Sequence, residues 1–278
     1  MTDQTGFIFA ATGADYVALA RRAARTLRGV VPDARIDLFA DVALDDAVFD
    51  RVHSLEHPSR RPKIEAMQRS RFERTIYLDA DVICLTGFDD VFAILDRFDI
   101  ACCAEQRRND RRNRIQLQDA EVPVAYPQLN GGLIAYRRSA AMYAFLSDWH
   151  RWVHDGTQRF DQHSFRVLLY NSDLRQHVLP AEYNVMFMRP FMPLGPTYCA
   201  PRMLHDPALH RGEIGDPETP LQLGKILNDA QVRQLTEMLG HDQTISHYVI
   251  PELGERVTPK PKKRGWRSRL RWLRRPKI

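Results

Sequence analysis

The stretch Thr75-Ile-Tyr-Leu-Asp-Ala-Asp-Val-Ile-Cys-Leu85 decides how the chain is read. It is a run of strand-forming apolar residues interrupted by two carboxylates, Asp79 and Asp81. Aspartate is among the poorest strand formers, and a buried carboxylate is costly unless something pairs with it. In an extended backbone, residues i and i+2 project to the same side. The pattern therefore predicts one strand over 75–85 whose two aspartates face one point in space. A divalent cation there would satisfy both, and hard ions such as Mg²⁺ or Mn²⁺ suit oxygen ligands. Alone, the pair reads just as readily as turn or capping acids, so its surroundings matter.

Upstream, Gly6-Phe-Ile-Phe-Ala-Ala11 is a nearly continuous apolar run, as expected of a strand buried on both faces. Thr12–Asp15 breaks it, and Val17, Ala20, Ala24 and Leu27 recur at helical spacing through about 16–28. Ile36–Ala40 reads as the next strand. Strand, helix and strand in that order predict parallel pairing, with the Thr12–Asp15 turn at the carboxyl end where open α/β sheets bind ligands. The chain has no GxGxxG and no GxxxxGK[ST], so it carries neither a dinucleotide fingerprint nor a P-loop. A short strand near 51–55 and a helix over 63–72, entered after Pro62, lead into the central stretch.

Downstream, a short helix is expected over 89–95, because acids favour a first turn, and a strand over 98–104. Arg107–Arg114 is polar and aperiodic, a solvated loop or a cover over a phosphorylated ligand. Leu129-Asn-Gly-Gly-Leu-Ile-Ala-Tyr136 reads as a turn feeding an apolar strand, its glycines allowing positive φ or close approach of a ligand. Ser139 suits an N-cap for a helix to about Val153, whose inner face is Met142, Phe145, Leu146, Trp149 and Val153. Another helix begins near Asp161, His205 ends a short strand, and 228–239 is helical.

With 44% hydrophobic and 27% charged residues in 278, the composition is that of a soluble protein with a sizeable core. No segment reaches the roughly 18–20 apolar residues that span a bilayer, and the amino terminus lacks a signal-peptide pattern. Four cysteines without metal-ligand spacing fit a reducing cytoplasm. The net charge of +5 is unevenly spread: residues 256–278 hold eleven Lys or Arg and no acid, leaving 29 basic against 35 acidic residues in 1–255. The body is mildly acidic, which argues against nucleic-acid binding.

Seven segments, in order, carry a resemblance: FIFAAT (7–12), PKIEAM (62–67), YLDADV (77–82), LNGGLIAYRRS (129–139), DQHSF (161–165), LPAEYNV (179–185) and MLHDP (203–207). The chain resembles the GT-A glycosyltransferases, most closely the family 8 type that includes glycogenins and bacterial lipopolysaccharide galactosyl- and glucosyltransferases. The resemblance implies an α/β fold with a mixed, mainly parallel sheet flanked by helices. It implies a metal-dependent hexosyl transfer from a UDP-sugar to a glycan or lipid-linked saccharide, with retention, in cell-surface polysaccharide synthesis. By the same resemblance Asp79, Asp81 and His205 would hold Mn²⁺ or Mg²⁺, with Asp79 shared with the ribose. Thr12 and Asp15 would line the uridine pocket, and Lys63 would approach the diphosphate or sugar. Asn130 and Gly131 would lie near the donor sugar, with Asp161 and Gln162 beside the anomeric carbon. The family's Gly-x-x-Lys-Pro-Trp segment is missing: DPALHRGEIGD follows His205, leaving the diphosphate clamp to His210 or Arg211 or to neither.

The tail from 256 reads as a separate unit behind the 1–255 domain. A Pro/Lys linker precedes Trp266, Leu270 and Leu273 on one helical face, with Arg267, Arg271, Arg274 and Arg275 on the other. A basic amphipathic helix of this kind suits an anionic membrane surface, and would place the protein peripherally on the cytoplasmic face. Two alternatives stand beside the transferase: a tethered nucleotide-sugar binder without catalysis, and a haloacid-dehalogenase phosphatase, which also puts DxD after a strand.

Overall fold

The apolar run at the start forms β1 (Thr5–Ala11), and its alternating side chains enter two cores. Phe7, Phe9 and Ala11 pack on one side of the sheet with α1 (Ala14–Val30) and α6 (Asp229–His241), while Ile8 and Ala10 face α2 (Lys63–Arg69) on the other. Burial on both faces explains why the run lacks polar alternation. The computed structural model describes residues 4–59, 61–110, 121–154, 161–199, 201–245 and 248–251.

The main sheet has seven strands in the order β3-β2-β1-β4-β7-β6-β8. β2 (Ile36–Ala40), β3 (Arg51–Ser54) and β4 (Arg74–Leu78) join β1 in parallel pairs. β7 (Leu129–Arg137) runs antiparallel between β4 and β6 (Ile100–Ala104), and β8 (Gln176–Leu179) extends the edge parallel to β6. Six strands thus share one direction and β7 opposes them, the mixed and mainly parallel sheet expected from the sequence. α4 (Ala140–His154) and α5 (Asp161–Tyr170) cover the α2 face with Trp149, Phe145 and Phe165. Ser139 Oγ accepts the Met142 N–H at 3.1 Å, the expected N-cap. Asn228 and Gln231 close a capping box on α6.

The central stretch departs from its reading as one strand. β4 ends at Leu78, and a bend at Ala80–Asp81 leads into β5 (Val82–Cys84), which belongs to a separate two-stranded sheet with β9 (Met203–His205). The last tie to the main sheet is the Asp79 N–H to the Gly132 carbonyl, 3.0 Å. Beyond it the apolar Val82-Ile83-Cys84 is buried under α1, where the Cys84 N–H donates to Thr26 Oγ1 at 3.0 Å. The carboxylates therefore share a crossover between sheets, not one face of a strand. A crossover suits two aspartates better, since it places both outside the strands, where that residue type is disfavoured.

Smaller differences follow from packing. α2 stops at Arg69, and Phe72 instead fills the space above Gly6. The helix expected over 89–95 contracts to α3 (Val91–Ile94). β8 was not foreseen, because its Gln176-His-Val-Leu179 is only partly buried and carries little apolar signal. Gly131 and Gly132 lie inside β7 and not in a turn; neither has the positive φ seen at Gly13, Gly212 and Gly215. Their role is close approach. The 111–114 end of the arginine-rich loop and the tail from 256 lie outside the described residues. Among those described, no helix is long and apolar enough to cross a membrane.

Candidate functional site

Register in the small sheet builds the site. β5 pairs antiparallel with β9 so that Val82 faces His205, bringing that imidazole beside Asp81. His205 Nε2 lies 3.2 Å from Asp81 Oδ1 and 3.8 Å from Asp79 Oδ2. One ligand atom from each of Asp79, Asp81 and His205 falls within 4.8 Å of the others. Asp81 and His205 are each 5% exposed, so their polar atoms face one another and not water. Burial pushes the Asp81 carboxyl up, but the neighbouring His205 and His210 outweigh it and hold it well below the ordinary carboxylate range. For His205, burial favours the neutral ring, yet the Asp81 and Asp79 charges prevail and raise its pKa. Two carboxylates and an imidazole nitrogen around one point fit a divalent cation. All three residues are those the sequence put forward.

A second buried cluster adjoins the first. Lys63 opens α2, and its Nζ lies 3.0 Å from Asp79 Oδ1, 3.5 Å from Asp161 Oδ2 and 3.1 Å from the Gly131 carbonyl. Tyr77 donates its hydroxyl to Asp79 Oδ1 at 2.6 Å, and Arg61 Nε stands 3.6 Å from Asp161 Oδ1. Desolvation works against the Lys63 ammonium, but Asp79 and Asp161 more than offset it and raise its pKa. Desolvation likewise acts against the Asp161 carboxylate; Lys63 and Arg61 overcome it, and its pKa is lowered. Removing one member of such a set leaves an uncompensated buried charge. Asp161 begins α5, where its carbonyl accepts the Trp149 indole N–H at 3.1 Å, while the Gln162 carbonyl accepts Gln128 Nε2 at 2.7 Å.

Thr12, just past β1, has a buried Oγ1 with no hydrogen bond among the described residues, a free polar atom at the carboxyl end of the sheet. Gly13 has φ +87° and donates its N–H to Asp41 Oδ1 at 2.9 Å. Asp15 is exposed on the first turn of α1 and stands outside the buried clusters. Asn130 and Gly131 sit on β7 directly behind them, with Asn130 only 2% exposed.

Three polar residues escaped sequence reasoning as site members, Asp41, Glu105 and Asn184, while His210, offered as a diphosphate clamp, lies against Asp81. His210 Nε2 lies 2.7 Å from Asp81 Oδ2, and its Nδ1 lies 3.2 Å from the Tyr16 hydroxyl. Its ring also meets Tyr16 edge-on at 5.0 Å. Arg211, the other clamp candidate, is exposed. The signal for Asn184 was its place in LPAEYNV; Glu105 and Asp41 had none, being brought in only by the ends of β6 and β2. A surface cavity, lined by Thr5, Gly6, Asp33, Arg35 and Phe92, opens at the amino end of β1, the end opposite Thr12.

No family model matches the chain, and no curated protein matches it in sequence. Solved structures do match. The galactosyltransferase LgtC, crystallised with donor and acceptor sugar analogs, superposes with a TM-score of 0.55 over 89% of this chain and 98% of its own, at 14% identity. The fold is that of the GT-A glycosyltransferases. Two further GT-A structures agree. The glycosyltransferase GlyE of Streptococcus pneumoniae TIGR4 gives a TM-score of 0.52 at 16% identity, over 74% of this chain and 54% of GlyE. The bifunctional WbbM gives 0.53 at 10% identity, over 84% of this chain and 50% of WbbM. A GT-A fold displaces the phosphatase alternative.

Proposed function

We propose that the protein is a metal-dependent glycosyltransferase that moves a hexose from a UDP-sugar to a glycan or lipid-linked acceptor, with retention. The observation that carries the reading is the convergence of Asp79, Asp81 and His205 in the crossover of a GT-A fold. These three would hold Mn²⁺ or Mg²⁺, which when bound offsets the charge developing on a nucleotide diphosphate leaving group. Thr12 and Asp15 would bound the nucleoside, with the free Thr12 Oγ1 offering one polar contact. Lys63, already held between two carboxylates, orients Asp79 and Asp161 and would approach the diphosphate or the transferred sugar. Asp161 and Gln162 would face the anomeric carbon, and Asn130 with Gly131 the donor sugar. His210 and backbone donors near it would take the part of the missing diphosphate lysine, adding preorganised charge stabilisation.

The test is a thermal-shift screen of nucleotide sugars with and without Mn²⁺, followed by donor hydrolysis and transfer assays. A ligand present at 100 times its Kd stabilises by about 2.7 kcal/mol, a readily measured rise in Tm. UDP-sugars are expected to stabilise only with the metal. Binding without turnover would favour the non-catalytic binder, and no stabilisation by any nucleotide sugar would reject both.

We further propose a cytoplasmic location at the membrane surface, through the amphipathic pattern of 256–278. The full chain is expected to sediment with anionic vesicles and a 1–257 truncation to remain in solution; equal sedimentation of the two would remove this reading.

A further inference from the structure

We propose that Asn184 is a positioning residue that fixes the tautomer of His205, through a one-way chain of hydrogen bonds running to Glu105. The inference rests on the metal reading of Asp79, Asp81 and His205 and adds to it the device that keeps His205 able to ligate.

The chain has four links. His205 Nδ1 lies 3.0 Å from Asn184 Oδ1. Asn184 Nδ2 donates to Asn130 Oδ1 at 2.7 Å, and Asn130 Nδ2 donates to Glu105 Oε2 at 3.0 Å. The backbone N–H of Gly132 also donates to Asn130 Oδ1, at 2.8 Å. Amide groups can be turned end for end, and an imidazole can carry its proton on either nitrogen. Here both ambiguities are removed by groups that have only one role.

The Gly132 N–H can only donate, so the atom of Asn130 facing it must be the oxygen. The amide nitrogen of Asn130 then faces Glu105, whose Oε2 accepts it. With Asn130 Oδ1 set as an acceptor, Asn184 must turn its own nitrogen toward it, which leaves Asn184 Oδ1 facing His205. An amide oxygen cannot donate, so Nδ1 of His205 carries the proton. Once the proton that Nε2 shares with Asp81 is displaced, Nε2, the nitrogen aimed at Asp79 and Asp81, holds the lone pair that a metal requires. Asn184 is 1% exposed and Asn130 2%, so water does not compete for these bonds. A partner on the far nitrogen of a ligating imidazole fixes its orientation as well as its tautomer.

The experiment measures Mn²⁺ binding to the full chain by electron paramagnetic resonance, without nucleotide, beside the Tm of each variant. Asn184→Leu, similar in size but without an acceptor, is expected to weaken Mn²⁺ about 10–100-fold. Asn184→Asp keeps an acceptor for Nδ1–H but presents an oxygen to Asn130 Oδ1. It is expected to lower Tm while binding Mn²⁺ close to the wild-type affinity. A purely structural role would weaken the metal alike in both variants, and that result would overturn the proposal. So would wild-type affinity in a folded Asn184→Leu. Should that variant not fold, ¹⁵N spectra of His205 in the metal-free wild type at alkaline pH still decide: a proton on Nδ1 supports the proposal and one on Nε2 overturns it. A wild-type chain that binds no Mn²⁺ would instead remove the metal reading on which the inference stands.

Discussion

Asp81→Ala is expected to abolish both Mn²⁺ binding and metal-dependent sugar transfer. Asp81 is the hub of the first cluster, with His205 on one carboxylate oxygen and His210 on the other. Deleting it removes a ligand and frees the ring that should supply another. A bound metal is worth several kcal/mol of charge stabilisation in the transition state, and each 1.36 kcal/mol is a factor of ten in rate. Turnover should therefore fall by about a thousandfold or more. The same assay has a signature in pH. The raised pKa of His205 means that a metal must displace a proton from it. Apparent Mn²⁺ affinity should therefore climb as pH rises above the ordinary histidine range, levelling off once His205 is neutral without the metal. Transfer by Asp81→Ala at the wild-type rate, in a titration of Mn²⁺ at fixed donor, would contradict the assignment.

That prediction was available from the amino-acid sequence, whereas the geometry behind it was not. The sequence singled out Asp79 and Asp81 because carboxylates are out of place in an apolar run, and that reasoning does not depend on the backbone around them. The inference that they share a strand face did depend on it, and failed. Whether a chain leaves a sheet at Asp79 is decided by its neighbours: β7 supplies the last rung at Gly132, and β9 waits for Val82. Those strands lie more than 50 residues away in sequence. The same limit explains the site members that went unseen. Glu105 and Asn184 act on residues 25 and 54 positions distant, and a local reading of either finds only an ordinary polar residue at a strand or helix end. β1, α1 and β2 were legible because adjacent elements pack on one another, and their periodicity records that packing.

Lys63 shows the intermediate case. The resemblance offered it as a residue approaching the diphosphate or sugar, a reading that leaves its charge free. In the structure it is 8% exposed and bound to two aspartates, so its first task is to balance the charge of the buried Asp161 and the partly buried Asp79. Spacing alone could not reveal this, since Asp161 follows almost 100 residues later.

The second large effect is expected at Gly132, and the neighbouring glycine supplies its control. A Cβ on Gly132 would come within 2.3 Å of both Cε1 and Nδ1 of His205 and 3.0 Å from Asn130 Oδ1. Such separations do not occur between real atoms, so something must move. β7 is held on both edges, by β4 and by β6, and the Gly132 carbonyl is bonded to the Asp79 N–H. The imidazole is the less constrained party. Its displacement breaks its contact with Asn184 and carries Nε2 away from Asp81. Gly132→Ala should therefore lose Mn²⁺ binding, with an overpacking cost of about 1–3 kcal/mol in stability. At Gly131 the added methyl would meet only Lys63 Nζ, at 3.1 Å, the tip of a flexible side chain that can yield by a few tenths of an ångström. Gly131→Ala should fold nearly as the wild type and keep its metal. Neither glycine has positive φ, so backbone strain does not confuse the comparison. Calorimetric Mn²⁺ titrations on the two variants separate the cases. Equal retention of the metal by both would mean that His205 is not the ligand that the β7 glycine makes room for.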